Sequence, residues 1–136
     1  MTDSGDISTG STSTASSAIA TLGVVALDTR DPRGLAAFYG ALLGAPVASD
    51  EDHWVQLAPT GGVALAFQHA PGHVPPRWPG DEHPQQIHLD FDVPDIAAAE
   101  PRVLALGARK HEIQPGGASF QVYLDPAGHP FCLVRG

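Results

Sequence analysis

The chain can be laid over itself in two places. Setting Asp31 on Asp95 lays VVALDTRDP over HLDFDVPDI, so that Val24 falls on His88, Ala26 on Asp90 and Asp28 on Asp92. The apolar segments that follow both stop at a glycine, Gly44 and Gly107. Setting Pro59 on Pro126 lays WVQLAPTGGVALAFQ over QVYLDPAGHPFCLVR, which pairs Val55 with Val122, Leu57 with Leu124, Gly61 with Gly128 and Leu65 with Cys132. Both registers run without gaps and in the same order. A repeat of this kind means one supersecondary unit used twice.

Periodicity says what the unit is. IATLGVVALDT reads as a strand, DPRGLAAFYGALLGAP as a helix opened by Asp31 and Pro32 and closed at Gly44, and HWVQLAP and VALAFQH as strands. PGHVPPRWPGDEHP is too rich in proline for a regular element. The order then returns: QIHLDFDV as a strand, DIAAAEPRVLALG as a helix with Asp95 at its cap, and ARKHEI, SFQVYLDP and HPFCLVR as strands. The expected fold is α+β, with two tandem β-α-β-β-β modules and eight strands. Module one should span 20–70, the connector 71–85 and module two 86–136, in a single domain over 20–136. Residues 1–19, mostly Ser, Thr, Gly and Asp with few large apolar groups, are expected to form a disordered tail.

Size and charge narrow the function. A chain of 136 residues holds one domain. No apolar run reaches the roughly 18 residues of a membrane span, so no membrane partner is expected. A net charge of −8 with only seven Lys and Arg argues against nucleic acid. One cysteine, Cys132, and an N-terminus with Asp3 and Asp6 in place of a basic leader lead us to expect a cytoplasmic protein.

Alternation along HLDFDV puts His88, Asp90 and Asp92 on one face of a strand and Leu89, Phe91 and Val93 on the other, against the following helix. His88 with Asp90 two residues on makes a candidate oriented base. Hydrogen bonding to backbone or contact with a ligand is the more common use of such a histidine. Asp92, with Asp28 as its counterpart, is expected to brace the turn into the helix. Cys132 reads as a small buried hydrophobe. Trp54 with Gln56, and Gln121 with Tyr123, alternate with apolar partners and either line a cavity or face water. Phe38 is expected in the core. Trp78 either closes a cavity mouth or clamps the modules together. DPAGHP is a β-turn signal with no phosphate-binding character.

Paired modules carrying FYGALLGAPV, HLDFDVPD and DPAGHPFCLV resemble the vicinal oxygen chelate superfamily, with its glyoxalase I, bleomycin-resistance and extradiol dioxygenase members, and most of all its glyoxalase-like bacterial branch. The resemblance implies a cup of curled mixed sheet with helices outside and a ligand within. It also implies a homodimer. Metal-dependent members take one ligand from the first and one from the last strand of each module. Those positions are expected here at Val24, Leu65, His88 and Cys132, and only His88 keeps the usual chemistry. Neither a metal nor another cofactor is therefore expected.

Three functions follow as expectations. The first is a binding module that sequesters a small apolar or aromatic molecule, with His88, Asp90, Trp54, Val24, Leu65 and Cys132 lining its site. The alternative is a metal-independent enzyme with His88 as general base, tuned by Asp90, on a carbonyl or phenolic substrate. A metal-dependent lyase or dioxygenase stands last.

Overall fold

The computed structural model describes residues 18–136. The expected tail therefore lies outside the described residues, apart from exposed Ala18 and Ile19. Module one runs β1 (Val24–Thr29), α1 (Pro32–Leu43), β2 (Val47–Glu51), β3 (Trp54–Leu57) and β4 (Ala64–His69). Module two runs β5 (Leu89–Val93), α2 (Ile96–Ala105), β6 (Arg109–Lys110), β7 (Phe120–Leu124) and β8 (Pro130–Arg135). The expected α+β class and eight strands are both present. The strands form two four-stranded sheets, ordered β1-β4-β3-β2 and β5-β8-β7-β6. In each sheet the first strand pairs in parallel with the last, and the remaining pairs are antiparallel.

Local chemistry explains the helices. Asp31 accepts from the Gly34 amide at 3.0 Å, Pro32 occupies the first turn where an amide donor would be wasted, and Gly44 ends α1 at φ 67°. Asp95 accepts from the Ala97 and Ala98 amides at the start of α2. The helix start of module two is thus held by Asp95; among the described residues Asp92 makes no hydrogen bond to it. β2 was not legible as an element, because VASDE is exposed at four of five positions and lies at a sheet edge, where no apolar alternation is needed.

Both helices pack on the same side of their sheets. Val25, Leu27, Val55, Leu57, Leu65 and Phe67 of the first sheet and Leu89, Phe91, Tyr123, Phe131 and Leu133 of the second join one core. Tyr39 of α1 stacks on Phe67 of its own module at 5.7 Å, and α1 also reaches across to module two, where Tyr39 meets Phe91 at 5.8 Å and Phe38 lies 5.9 Å from Phe131. The Tyr39 hydroxyl donates at 2.6 Å to the fully buried carboxylate of Asp125, in the turn between β7 and β8.

The strand registers correct one half of the repeat. Ala26 pairs with Ala66, and Asp90, the counterpart of Ala26, pairs with Cys132. Cys132 therefore corresponds to Ala66, and Leu65 to Phe131. The hairpin alignment on Pro59 and Pro126 is one residue out. The true match is Gly62 with Gly128, at φ 91° and 92°, because the turn needs glycine where the backbone is left-handed and TGG offers two candidates. Leu65 is a core residue packed under α1, not part of a ligand-facing surface.

Replacing Tyr39 with Phe removes the hydroxyl but keeps the ring packing, and leaves a buried carboxylate oxygen without its donor. Chemical denaturation should show a loss of about 1 to 3 kcal/mol; an unchanged midpoint would mean that the bond carries no net stability.

Candidate functional site

The face opposite the core holds the polar chemistry. Leu89 and Phe91 point into the core, so Asp90 between them, and His88 two residues before it, project from the other side of β5. In β8, Phe131 and Leu133 point into the core and Cys132 points away. The parallel register sets Asp90 directly beside Cys132. His88 Nε2 lies 3.2 Å from Asp90 Oδ1, and His88, Asp90 and Cys132 each offer a ligand atom within 4.8 Å of the others. Two strands of one module thus converge an imidazole, a carboxylate and a thiol.

His88 and Cys132 line a cavity of about 180 Å³ with Gln85, Phe120, Val122 and Trp78. Trp78 belongs to the connector, and its carbonyl accepts from His111 Nε2 at 3.2 Å while its ring meets that imidazole edge-on at 5.0 Å. Of the two roles open to Trp78, the structure shows a cover over module two. Gln85 Oε1 is buried with no hydrogen-bond partner among the described residues. Burial, reinforced by the neighbouring Asp90 carboxylate, pushes the Cys132 thiol up to about 11.

The other residues expected at the site lie elsewhere. Leu65 is in the core. Trp54 sits on β3 of the first sheet and donates through its indole to Gln56 at 3.1 Å. Val24 starts β1, half-exposed. Tyr123, which alternation groups with Gln121, is fully buried in the core with its hydroxyl 2.6 Å from Glu100; the residues of β7 that line the cavity are Phe120 and Val122.

A larger cavity, at which no sequence motif points, opens between the modules. It measures about 490 Å³ and takes Ala26 and Asp28 from β1, His73, Val74, Pro76 and His83 from the connector, Ile87 from the residues leading into β5, and His129 from the β7–β8 turn. His129 Nε2 donates to the Asp28 carbonyl at 2.7 Å and its ring stacks on His73 at 4.8 Å. Burial, followed by the adjacent His129, lowers the pKa of His73. The only advance signal was the histidine content of the connector, since its path over the sheets is not encoded in periodicity.

Paired β-α-β-β-β modules with helices on one face and convergent polar groups on the other define a chain of the vicinal oxygen chelate superfamily. The model of the glyoxalase-like domain family matches residues 24–134, and the chain belongs to that family. A glyoxalase/bleomycin resistance protein/dioxygenase family enzyme from Burkholderia phytofirmans PsJN is 21% identical with a TM-score of 0.64, over 85% of this chain and 98% of its own. A glyoxalase-related enzyme from Fulvimarina pelagi is 18% identical with a TM-score of 0.62, over 85% of this chain and 88% of its own. A glyoxalase family protein from Enterococcus faecalis is 20% identical with a TM-score of 0.63, over 86% of this chain and 98% of its own. No match was found among curated proteins. No helix among the described residues is long and apolar enough to cross a membrane.

In structural register, the four ligand positions of metal-dependent members fall on Val24, Ala66, His88 and Cys132. Two are aliphatic and offer no donor atom. The residues do not fit the ligand set spread over both modules.

The thiol makes a pH signature. Between its ordinary value of 9.0 and about 11 the unfolded chain loses the Cys132 proton while the folded chain keeps it, so stability present below that interval is lost as pH rises through it. Denaturation midpoints compared below and above the interval should fall less in Cys132→Ser than in the native chain. An equal fall in both would remove Cys132 as a contributor.

Proposed function

We propose that this protein binds a small, largely apolar or aromatic molecule and holds it, in the manner of a sequestering protein, in the cavity between its modules. The observation that supports the reading is the lining of that 490 Å³ space: aliphatic and proline side chains with a few imidazoles and one carboxylate. Ligand sites are commonly about 300–1,000 Å³, mostly apolar, with a few polar groups that orient the occupant. His83 is an exposed hydrogen-bonding group on the rim, and His73 and His129 offer a stacked pair of rings. A neutral His73 suits an uncharged or phenolic ligand better than an anion.

A second reading is favoured by the 3.2 Å contact between His88 and Asp90 beside the smaller cavity. There a carboxylate orients an imidazole that takes a proton from a bound carbonyl or phenolic compound, with no metal. Consecutive residues leading into β5 line the two cavities, Gln86 and Ile87 on one and Gln85 and His88 on the other.

The test is a thermal-shift screen of small phenols and aromatic ketones, run with the native chain, Ala26→Trp and His83→Ala. A ligand at a hundred times its Kd stabilises by about 2.7 kcal/mol. Stabilisation of the native chain that is lost in Ala26→Trp and weakened in His83→Ala supports the inter-module site. Stabilisation that survives Ala26→Trp places binding elsewhere. Conversion of any compound by the native chain but not by His88→Asn would favour the second reading.

A further inference from the structure

We propose that His88, Asp90 and Cys132 form a site for one thiophilic divalent cation of the zinc class, held on module two alone. The sequence leaves only His88 with the usual ligand chemistry and no metal is expected from it; the strand register brings Asp90 and Cys132 beside that histidine as second and third donors. This differs from the ligand pattern spread over both modules, because Asp90 stands at the position whose counterpart is Ala26.

Geometry carries the inference. Zinc bonds of about 2.0 to 2.3 Å to oxygen, nitrogen and sulfur in a tetrahedron put neighbouring donors roughly 3.3 to 3.8 Å apart. The His88 and Asp90 atoms are 3.2 Å apart, and no ligand atom of the three is more than 4.8 Å from another, so closure needs only small side-chain rotations. Charge agrees as well. A neutral imidazole, a carboxylate and a thiolate balance a divalent ion, and binding releases the thiol proton to solvent. One sulfur and one nitrogen in a set of three select zinc, cobalt or cadmium over magnesium, calcium or manganese.

Three protein donors leave a fourth position. His88 and Cys132 both line the cavity under Trp78, and Gln85 of the same cavity has a buried side-chain oxygen with no partner among the described residues. A water on the cation, facing that space, is the kind of donor such an oxygen lacks. The cation would also occupy the imidazole lone pair that a general base needs, so this use of His88 excludes the second functional reading. The sequestering function rests on a different cavity and stands or falls separately.

The test uses the full chain stripped with chelator and titrated with cobalt(II), then zinc. One equivalent should bind, with a thiolate-to-cobalt charge-transfer absorption, displacement by zinc, no displacement by an equal amount of magnesium, and release of about one proton per ion at neutral pH. Cys132→Ser should abolish the charge-transfer absorption. Asp90→Asn, at a position with a half-exposed side chain and therefore safe for the fold, should weaken binding at least tenfold. Cobalt binding without a thiolate band, affinity unchanged in Asp90→Asn, or no saturable binding would each overturn the site and leave His88 and Asp90 as a close pair of side chains that holds no cation.

Discussion

The carboxylate of Asp125 ties the molecule together. It is fully buried, where an unpaired charge would be costly, and it is satisfied by the Tyr39 hydroxyl at 2.6 Å and the amides of Ala127 and His129 at 2.9 and 3.0 Å. The first donor comes from the helix of module one and the other two from a turn of module two. The same turn presents Gly128, where a Cβ would lie 2.5 Å from Pro75 of the connector, and His129, which reaches the Asp28 carbonyl. One buried acid therefore fixes the helix, the turn and the connector together, and the inter-module cavity is the space they enclose.

Duplication with divergence is visible across the two faces of each sheet. On the core face the modules agree in kind: Val25 and Leu89, Leu27 and Phe91, Leu65 and Phe131, Phe67 and Leu133 all pack under helices. Burial of apolar area drives that agreement, since a polar residue at any of these places would lose its hydration with nothing in return. On the opposite face no such demand applies. Val24, Ala26 and Ala66 in module one stand where module two has His88, Asp90 and Cys132, so the chemistry has been concentrated in one half.

The modules, both helices and their caps were legible from spacing alone, because Asp31, Asp95 and Gly44 act through local backbone geometry. The placement of Leu65 was not. Two adjacent glycines left the hairpin register ambiguous by one residue, and in a strand one residue exchanges the faces. Alternation likewise grouped Tyr123 with Gln121, as lining a cavity or facing water, whereas Tyr123 is core and Val122 lines the cavity. Asp90 was read as a partner of His88, but its position beside Cys132 depends on parallel pairing between strands separated by a helix and two further strands. The connector was the least legible part. Its prolines exclude regular structure without specifying a path, yet it supplies Trp78 to one cavity and His73 and His83 to the other.

The central claim is that the polar chemistry of this chain converges on one face of β5 and β8. A crystal structure of the full chain grown with zinc, with anomalous diffraction recorded on both sides of the zinc absorption edge, tests it most directly. The account predicts a single strong anomalous peak per chain within bonding distance of Cys132 Sγ, a His88 ring nitrogen and an Asp90 oxygen, with Leu65 packed under α1. An anomalous map without that peak, or a strand register that turns Cys132 into the core and Leu65 away from it, would contradict the account.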